Sequence, residues 1–279
     1  MQSVKRQREA IEALSQYGAT VLYNYGVASN PPYWEAGLYE TEVNSPVPDW
    51  LLSTLGHDHF HSVGQLSTYS TWGDSPDGQF FISRDMLQHL RSLPRLQVLK
   101  LDRTPVNDDD LSVIRSLSQL QKLHLGRAAE VTDEGVASLS QLRDLEYLEL
   151  NYTRLTDKSV EALSRLPRLS VLRLSGQFSD DSLRHVGGMA QLRELTLGGV
   201  ERTGISNEGL VHLRGLTDLE ELNLYNSRVT EEGLRHLSHM RNLRRLDLRK
   251  TDVEDASWLF HRLPKCEIVT LSRTWRPQP

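Results

Sequence analysis

The sequence predicts an α/β repeat protein with a small α+β cap at its N-terminus. Three observations predict it. A unit Leu-x-x-Leu-x-Leu recurs seven times at nearly constant spacing. Apolar residues alternate around each Leu-x-Leu, which is the period of a short strand with one buried face. A few residues later a Thr or Ser precedes acidic residues, and Leu or Val then recurs at i and i+3. That is the pattern of a short capped helix with one buried stripe.

The cap comes first. Residues 2–17 read as a helix, with Ile11 and Leu14 on one face and Gly18 as its stop. From Thr20 to Val27 the residues alternate, placing Val21, Tyr23, Tyr25 and Val27 on one face of a strand. A loop rich in Pro and Asn runs from Ser29 to Pro48, and Trp50, Leu51, Leu52 and Leu55 suggest a short helix closing at Gly56. Charge marks the boundary. Residues 9–83 contain no Lys or Arg and nine Asp or Glu, whereas 29 of the 32 basic residues lie in 84–279. Twelve of the nineteen aromatics precede residue 84, as suits a compact cap. The expected division is a cap over 1–62 and a repeat domain over 63–279, with seven regular units in 96–262.

The units begin at Leu96, Leu120, Leu145, Leu169, Leu192, Leu219 and Leu243, in steps of 24, 25, 24, 23, 27 and 24 residues. Degenerate units fit Val63/Leu66/Thr68 before them and Cys266/Val269/Leu271 after them. The helix signature is Val131-Thr132-Asp133, Leu155-Thr156-Asp157, Phe178-Ser179-Asp180 and Val229-Thr230-Glu231. The hydroxyl is a natural N-cap, and the acidic residue after it suits the positive end of a helix.

This pattern resembles the leucine-rich repeat family, in its ribonuclease-inhibitor-like and cysteine-containing branches, over residues 84–275. The resemblance implies a right-handed horseshoe solenoid, with parallel strands on the concave face and short helices on the convex one. Three residues past the last strand Leu, the family often places Asn, Cys or Thr, bonded to the turn backbone. Here those positions hold Thr104, Ala128, Thr153, Gln177, Val200, Ser227, Thr251 and Thr274. The turn from Gly198 to Gly204 is the longest, and is expected to be a tolerated surface insertion rather than a functional loop. The run from Lys5 to Gly18, with Val21 to Tyr25 and Trp50 to Val63, looks like the lead-in of a large bacterial leucine-rich-repeat group. In many of those proteins a transmembrane helix precedes the lead-in. Here Met1 stands four residues before Lys5, and no apolar run nears the ~20 residues that span a bilayer. The expectation is a cytoplasmic protein, or a membrane-anchored one if an upstream segment exists.

Candidate chemistry is sparse. His57, His59 and His61 would share one face of a strand and could offer nitrogen ligands to zinc; a closed site needs a fourth ligand, so a polar connection is the expected reading and no metal is assigned. Asn107-Asp108-Asp109-Asp110 lacks the glycine turn and terminal Glu of a calcium loop and reads as the acidic first turn of a helix. His89, His185, His212 and His236 recur at one phase of the repeat, near helix C-termini. Cys266, the single cysteine, excludes an internal disulfide framework and reads as a small buried thiol. No phosphate-loop, zinc-protease or serine-hydrolase motif is present, so no enzyme activity and no cofactor are expected.

On the strands, residues flanking the buried leucines point onto the inner curve. Their charges are mixed in sign, which disfavours a nucleic-acid partner. The expected function is a protein-binding scaffold whose partner contacts are Lys100, Tyr147, Glu149, Arg173, Glu194, Glu221, Tyr225, Arg245 and Arg249. Tyr and Arg lead that set because they dominate protein–protein hot spots. The alternatives are a substrate adaptor of the F-box type, for which Pro46 to Leu55 offers only a fragment, and metal-dependent activity at His57–His61.

Overall fold

The computed structural model describes residues 2–16, 19–23, 63–68, 87–101, 106–126, 128–199 and 201–277. Among the described residues, eleven strands form one sheet in which every strand lies beside its neighbour in sequence. They are β1 (Ala19–Tyr23), β2 (Val63–Thr68), β3 (Val98–Leu101), β4 (Lys122–Leu125), β5 (Tyr147–Thr156) and β6 (Val171–Gln177). They continue as β7 (Glu194–Gly198), β8 (Glu221–Asn223), β9 (Arg245–Asp247), β10 (Glu267–Val269) and β11 (Thr274–Trp275). Pairing is parallel from β2 to β10. At both ends it reverses: β1 runs antiparallel to β2, and β11 antiparallel to β10. The degenerate unit at Val63 is therefore a genuine first parallel strand.

Between the strands lie α2 (Asp108–Ile114), α3 (Asp133–Ser138), α4 (Asp157–Leu163), α5 (Asp180–Val186), α6 (Asn207–Leu210) and α7 (Ser257–Arg262). Several turns are 3-10 rather than α, at Gln88–Ser92, Val211–Gly215 and Gly233–Leu237. The helix α1 (Gln2–Gln16) packs against the Gln88–Ser92 turn and covers the first repeat. Its buried pair is Ala10 and Leu14, one turn apart, whereas Ile11 is only partly covered.

The leucines of the seven regular units, together with the stripes Leu210/Leu213 and Leu234/Leu237, are shut off from solvent in one continuous core. The last unit is set one residue earlier than the expected Cys266/Val269/Leu271, because Ile268 pairs with Leu246 and is buried whereas Leu271 is 78% exposed. Burying one leucine stabilises by roughly 1.5–3 kcal/mol. A unit's own leucines fall short of the backbone entropy of ordering it, at about 1–2 kcal/mol per residue. Units therefore stand only when stacked.

Three of the four expected N-caps, Thr132, Thr156 and Ser179, are found; Thr230 caps no helix, since the following 3-10 turn starts at Gly233 with no side-chain cap, and Ser206 is a cap in addition. Thr132, Thr156, Ser179 and Ser206 each accept a hydrogen bond from the backbone N–H two residues on. Asn107 and Asp110 form a reciprocal capping box. The acidic residue after each cap does more than complement a helix dipole, because it reaches into the next repeat. Asp108 accepts from Thr132 N–H at 2.9 Å and from its hydroxyl at 2.6 Å. Asp133 does the same with Thr156, Asp157 with Ser179, and Asp180 with Ser206. Asn207 continues the series to Thr230, and Glu231 ends it on the N–H groups of Glu254 and Asp255. Where the residue three past the cap is Ser159 or Ser182, its hydroxyl joins the bond. Where it is Gly135 or Gly209, a Cβ would meet the aspartate oxygen at 2.1 or 2.2 Å.

The turn chemistry is less uniform than the resemblance implies. Thr153 donates to the Ser175 carbonyl, and Thr251 to that of Leu248 at 2.6 Å. Ala128 is buried and apolar, Gln177 is exposed within β6, and Thr274 sits exposed in β11. Ser227 is fully buried and its hydroxyl has no partner among the described residues. Thr104 and Val200 lie outside the described residues. Two residues past the last strand Leu, Tyr152, Asn226 and Lys250 adopt left-handed backbone, with φ of 59°, 61° and 58°.

The long turn at 198–204 is pinned rather than loose. Thr203 N–H donates to the Asn226 carbonyl at 2.9 Å, and Gly204 N–H to that of Phe178 at 2.7 Å. Arg202 reaches two repeats along to pair with Asp252. The turn is thus bonded to neighbouring units while Glu201 and Arg202 stay exposed at the surface.

Candidate functional site

Two ladders of side chains cross the open face of the sheet. Register aligns Val98, Lys122, Tyr147, Val171, Glu194, Glu221, Arg245 and Glu267 in the first. The second runs through Lys100, His124, Glu149, Arg173, Thr196, Asn223 and Asp247. Strands lie about 4.8 Å apart, so long side chains on adjacent strands touch.

They do so most closely at the centre. The His124 ring stacks on Tyr147, with centroids 4.3 Å apart. The Tyr147 hydroxyl donates to Glu149, which also accepts from Asn151 at 2.6 Å. Arg173 lies 3.7 Å from Glu149, donates to Glu194 at 2.6 Å, and sits 5.7 Å from the Tyr147 ring centre. His124 Nδ1 is 3.8 Å from Glu149. Glu149 therefore gathers a phenol, an amide, a guanidinium and an imidazole.

Burial governs protonation here. Removal from water lowers the His124 pKa to about 4, against the pull of Glu149 and with help from Lys100, Arg173 and Lys122. The imidazole is neutral at pH 7. Burial, then the Glu149 charge, pushes the Tyr147 phenol up. Burial also raises the Glu194 carboxyl, with Arg173 pulling the other way.

Of the nine residues expected to meet a partner, Tyr147, Lys100 and Glu194 are 3–5 % exposed. Flanking the leucines puts them on the open face, but their neighbours on adjacent strands cover them. They form its floor. Glu149, Arg173, Glu221 and Tyr225 are partly exposed, while Arg245 and Arg249 are exposed. His124 and Asn151 belong to the same network and were not in the expected set; their strand positions were the available signal.

A second cluster closes β8 and β9. The Arg249 guanidinium grips Asp247 through two nitrogens, at 3.0 and 2.6 Å. That bond, with the Asp247 charge, raises the Arg249 pKa. Asp247 is itself 3 % exposed. The Tyr225 ring lies 5.9 Å from the Arg249 guanidinium and 5.1 Å from the Lys250 ammonium. Asn223 and Asp247, equivalent in register, each accept the backbone N–H two residues on, at Tyr225 and Arg249. Lys250 belongs here although it lies past the strand; its left-handed backbone turns it back toward Tyr225.

Elsewhere, Cys266 is fully buried and burial pushes its thiol up to about 12. His57, His59 and His61, like Pro46 to Leu55, lie outside the described residues. Among the described residues no three His, Cys, Asp or Glu side chains are grouped to hold a metal ion, and no helix is long and apolar enough to cross a membrane.

A family profile described as Leucine Rich repeat matches residues 141–164, which is one unit. No curated protein matches the chain. Among solved structures, internalin C2 from Listeria monocytogenes is similar at 22% identity, covering 75% of this chain and 80% of that one with a TM-score of 0.56. Internalin F from the same organism is 17% identical, covering 65% and 69% with a TM-score of 0.36. Only the first is close enough to speak for a shared fold. Seven units in register, one of them matched by the profile, stack strand on strand into that fold, a leucine-rich-repeat solenoid.

Proposed function

We propose that the chain is a non-enzymatic scaffold that binds another protein through the concave face of its solenoid. One observation carries this reading: consecutive parallel strands present a field of mostly polar and aromatic side chains, interrupted only at Val98 and Val171 among the residues in register, on a backbone fixed by the core. Rigid strands hold such groups without the ordering cost that loops incur on binding. The partner contacts are best sought where the face is exposed, at Arg173, Glu221, Tyr225, Arg245 and Arg249, over a floor built by Lys100, Tyr147, Glu149 and Glu194.

The test is affinity capture from native lysate with three folded baits. They are wild type, a concave variant (Tyr225→Ala, Arg245→Ala, Arg249→Ala) and a convex control (Arg184→Ala). A discrete protein held by wild type and the control and lost by the concave variant is expected. Equal capture by all three would overturn the reading.

A further inference from the structure

The concave face is electrostatically lopsided. At its centre the charges are spent on one another: Glu149 and Glu194 share Arg173, and Glu149 also holds Tyr147 and Asn151. A charged partner docking there would have to break bonds already made. At β8 and β9 the balance differs. Arg245 is exposed and forms no ion pair among the described residues. Lys250 is exposed and rests on the Tyr225 ring. Arg249 is committed to Asp247, but its side chain is still 48% exposed, while the aspartate is buried beneath it.

We propose that the Tyr225–Arg245–Arg249–Lys250 end of the face binds an acidic, extended segment of a partner protein. This rests on the scaffold reading and names the chemistry of its partner. Three physical points support it. Arg249 and Lys250 both lie over the Tyr225 ring, whose face attracts them, so these two cations are held in place before a ligand arrives. Arg245 opens β9 and Arg249 sits in the turn just past its end, four residues on, so their Cα atoms are no more than about 13 Å apart. Two carboxylates separated by a few residues of extended peptide match that span. Glu221 pairs in register with Arg245, and Glu194 lies one strand further on. A uniform phosphate backbone would be repelled there, whereas a peptide can place a backbone N–H or a neutral side chain opposite Glu221.

The probe is a fluorescein-labelled peptide of alternating Asp and Glu, followed by anisotropy against the full chain. Competitors are inorganic phosphate and a single-stranded thymidine oligonucleotide. Saturable peptide binding is expected, weakening with salt. Arg245→Ala with Lys250→Ala should weaken it about tenfold, and Arg245→Lys should restore part of that loss. Arg168→Ala, which breaks an exposed pair with Asp144 away from the face, should leave it unchanged. Circular dichroism verifies that each variant is folded. Equal binding by wild type and the double variant overturns the proposal. So does tighter binding of the oligonucleotide lost in the same variant, or no saturable peptide binding. If the peptide fails while lysate capture still depends on the concave face, the scaffold reading stands and only the acidic-segment proposal falls. If capture is also indifferent to that face, both fall.

Discussion

The carboxylate of Asp133 accepts both the backbone N–H of Thr156, at 2.9 Å, and its hydroxyl, at 2.6 Å. One residue therefore caps a helix it does not belong to, 23 positions along the chain, and Ser159 adds a third donor. Asp133→Ala should cost about 1–3 kcal/mol, since it leaves buried donors unmade. Asp109→Ala, on an exposed side chain of the neighbouring helix, should cost little. Urea melts of the two variants check this, and equal midpoints would contradict the cross-repeat role. Burial pushes the Asp133 carboxyl up, but the Ser159 and Thr156 bonds outweigh it and hold the pKa below the usual carboxylate range. The stabilisation is thus full above the unfolded carboxylate's pKa and is lost as pH falls through the folded value.

His124 gives a second pH dependence. Its folded pKa is lowered to about 4 from 6.5. Between those values the unfolded chain binds a proton that the folded chain does not, so stability falls on acidification from about pH 6.5 to about pH 4. The effect is of order 3 kcal/mol at most. Glu149, Lys100, Lys122 and Arg173 all face the imidazole and stay in place in a His124→Gln variant. Denaturation midpoints across that range should drop more for wild type than for the variant. Parallel curves would dismiss the buried neutral histidine.

Cys266 reports on the far end of the array. Its buried thiol, pushed up to about 12, should resist a thiol reagent at pH 8 in the native protein. In denaturant it should react at the rate of a free cysteine. Rapid native labelling would show that the last unit opens on its own.

Ser227 is an opportunity to gain stability. Its hydroxyl is buried with no partner among the described residues, so Ser227→Ala should be neutral or stabilising by up to about 1 kcal/mol. The same change at Thr153, whose hydroxyl holds the Ser175 carbonyl, should destabilise. A loss at both positions would reveal a bond at Ser227.

The leucine spacing and the Thr/Ser caps could be read along the chain because each is a local pattern with a fixed period. The Asp108-to-Glu231 series could not be read as a ladder, since its partners are set by how far the chain travels in one turn. From sequence, each acidic residue already had a sufficient local role at a helix start. The burial of Tyr147 and Lys100 was hidden for a related reason. Alternation gives the face a side chain points to, but cover on that face comes from residues about 24 positions away. Lys250 was missed because the strand pattern ends before it, and only its backbone conformation turns it toward Tyr225.

The reversal of strand direction at β1 and β11 has an evolutionary consequence. A parallel array can extend itself from either end with its own repeat, but beyond an antiparallel end strand the next unit would have to pair with a strand of a different pattern. Extension by the repeat's own register is therefore simplest in the interior. There, duplicating a unit from one cap to the next, such as Thr132 to Leu155, would supply both an acceptor and a donor for the inter-unit bond. Length can therefore change by whole units while the two ends, and the cationic site near one of them, are inherited intact.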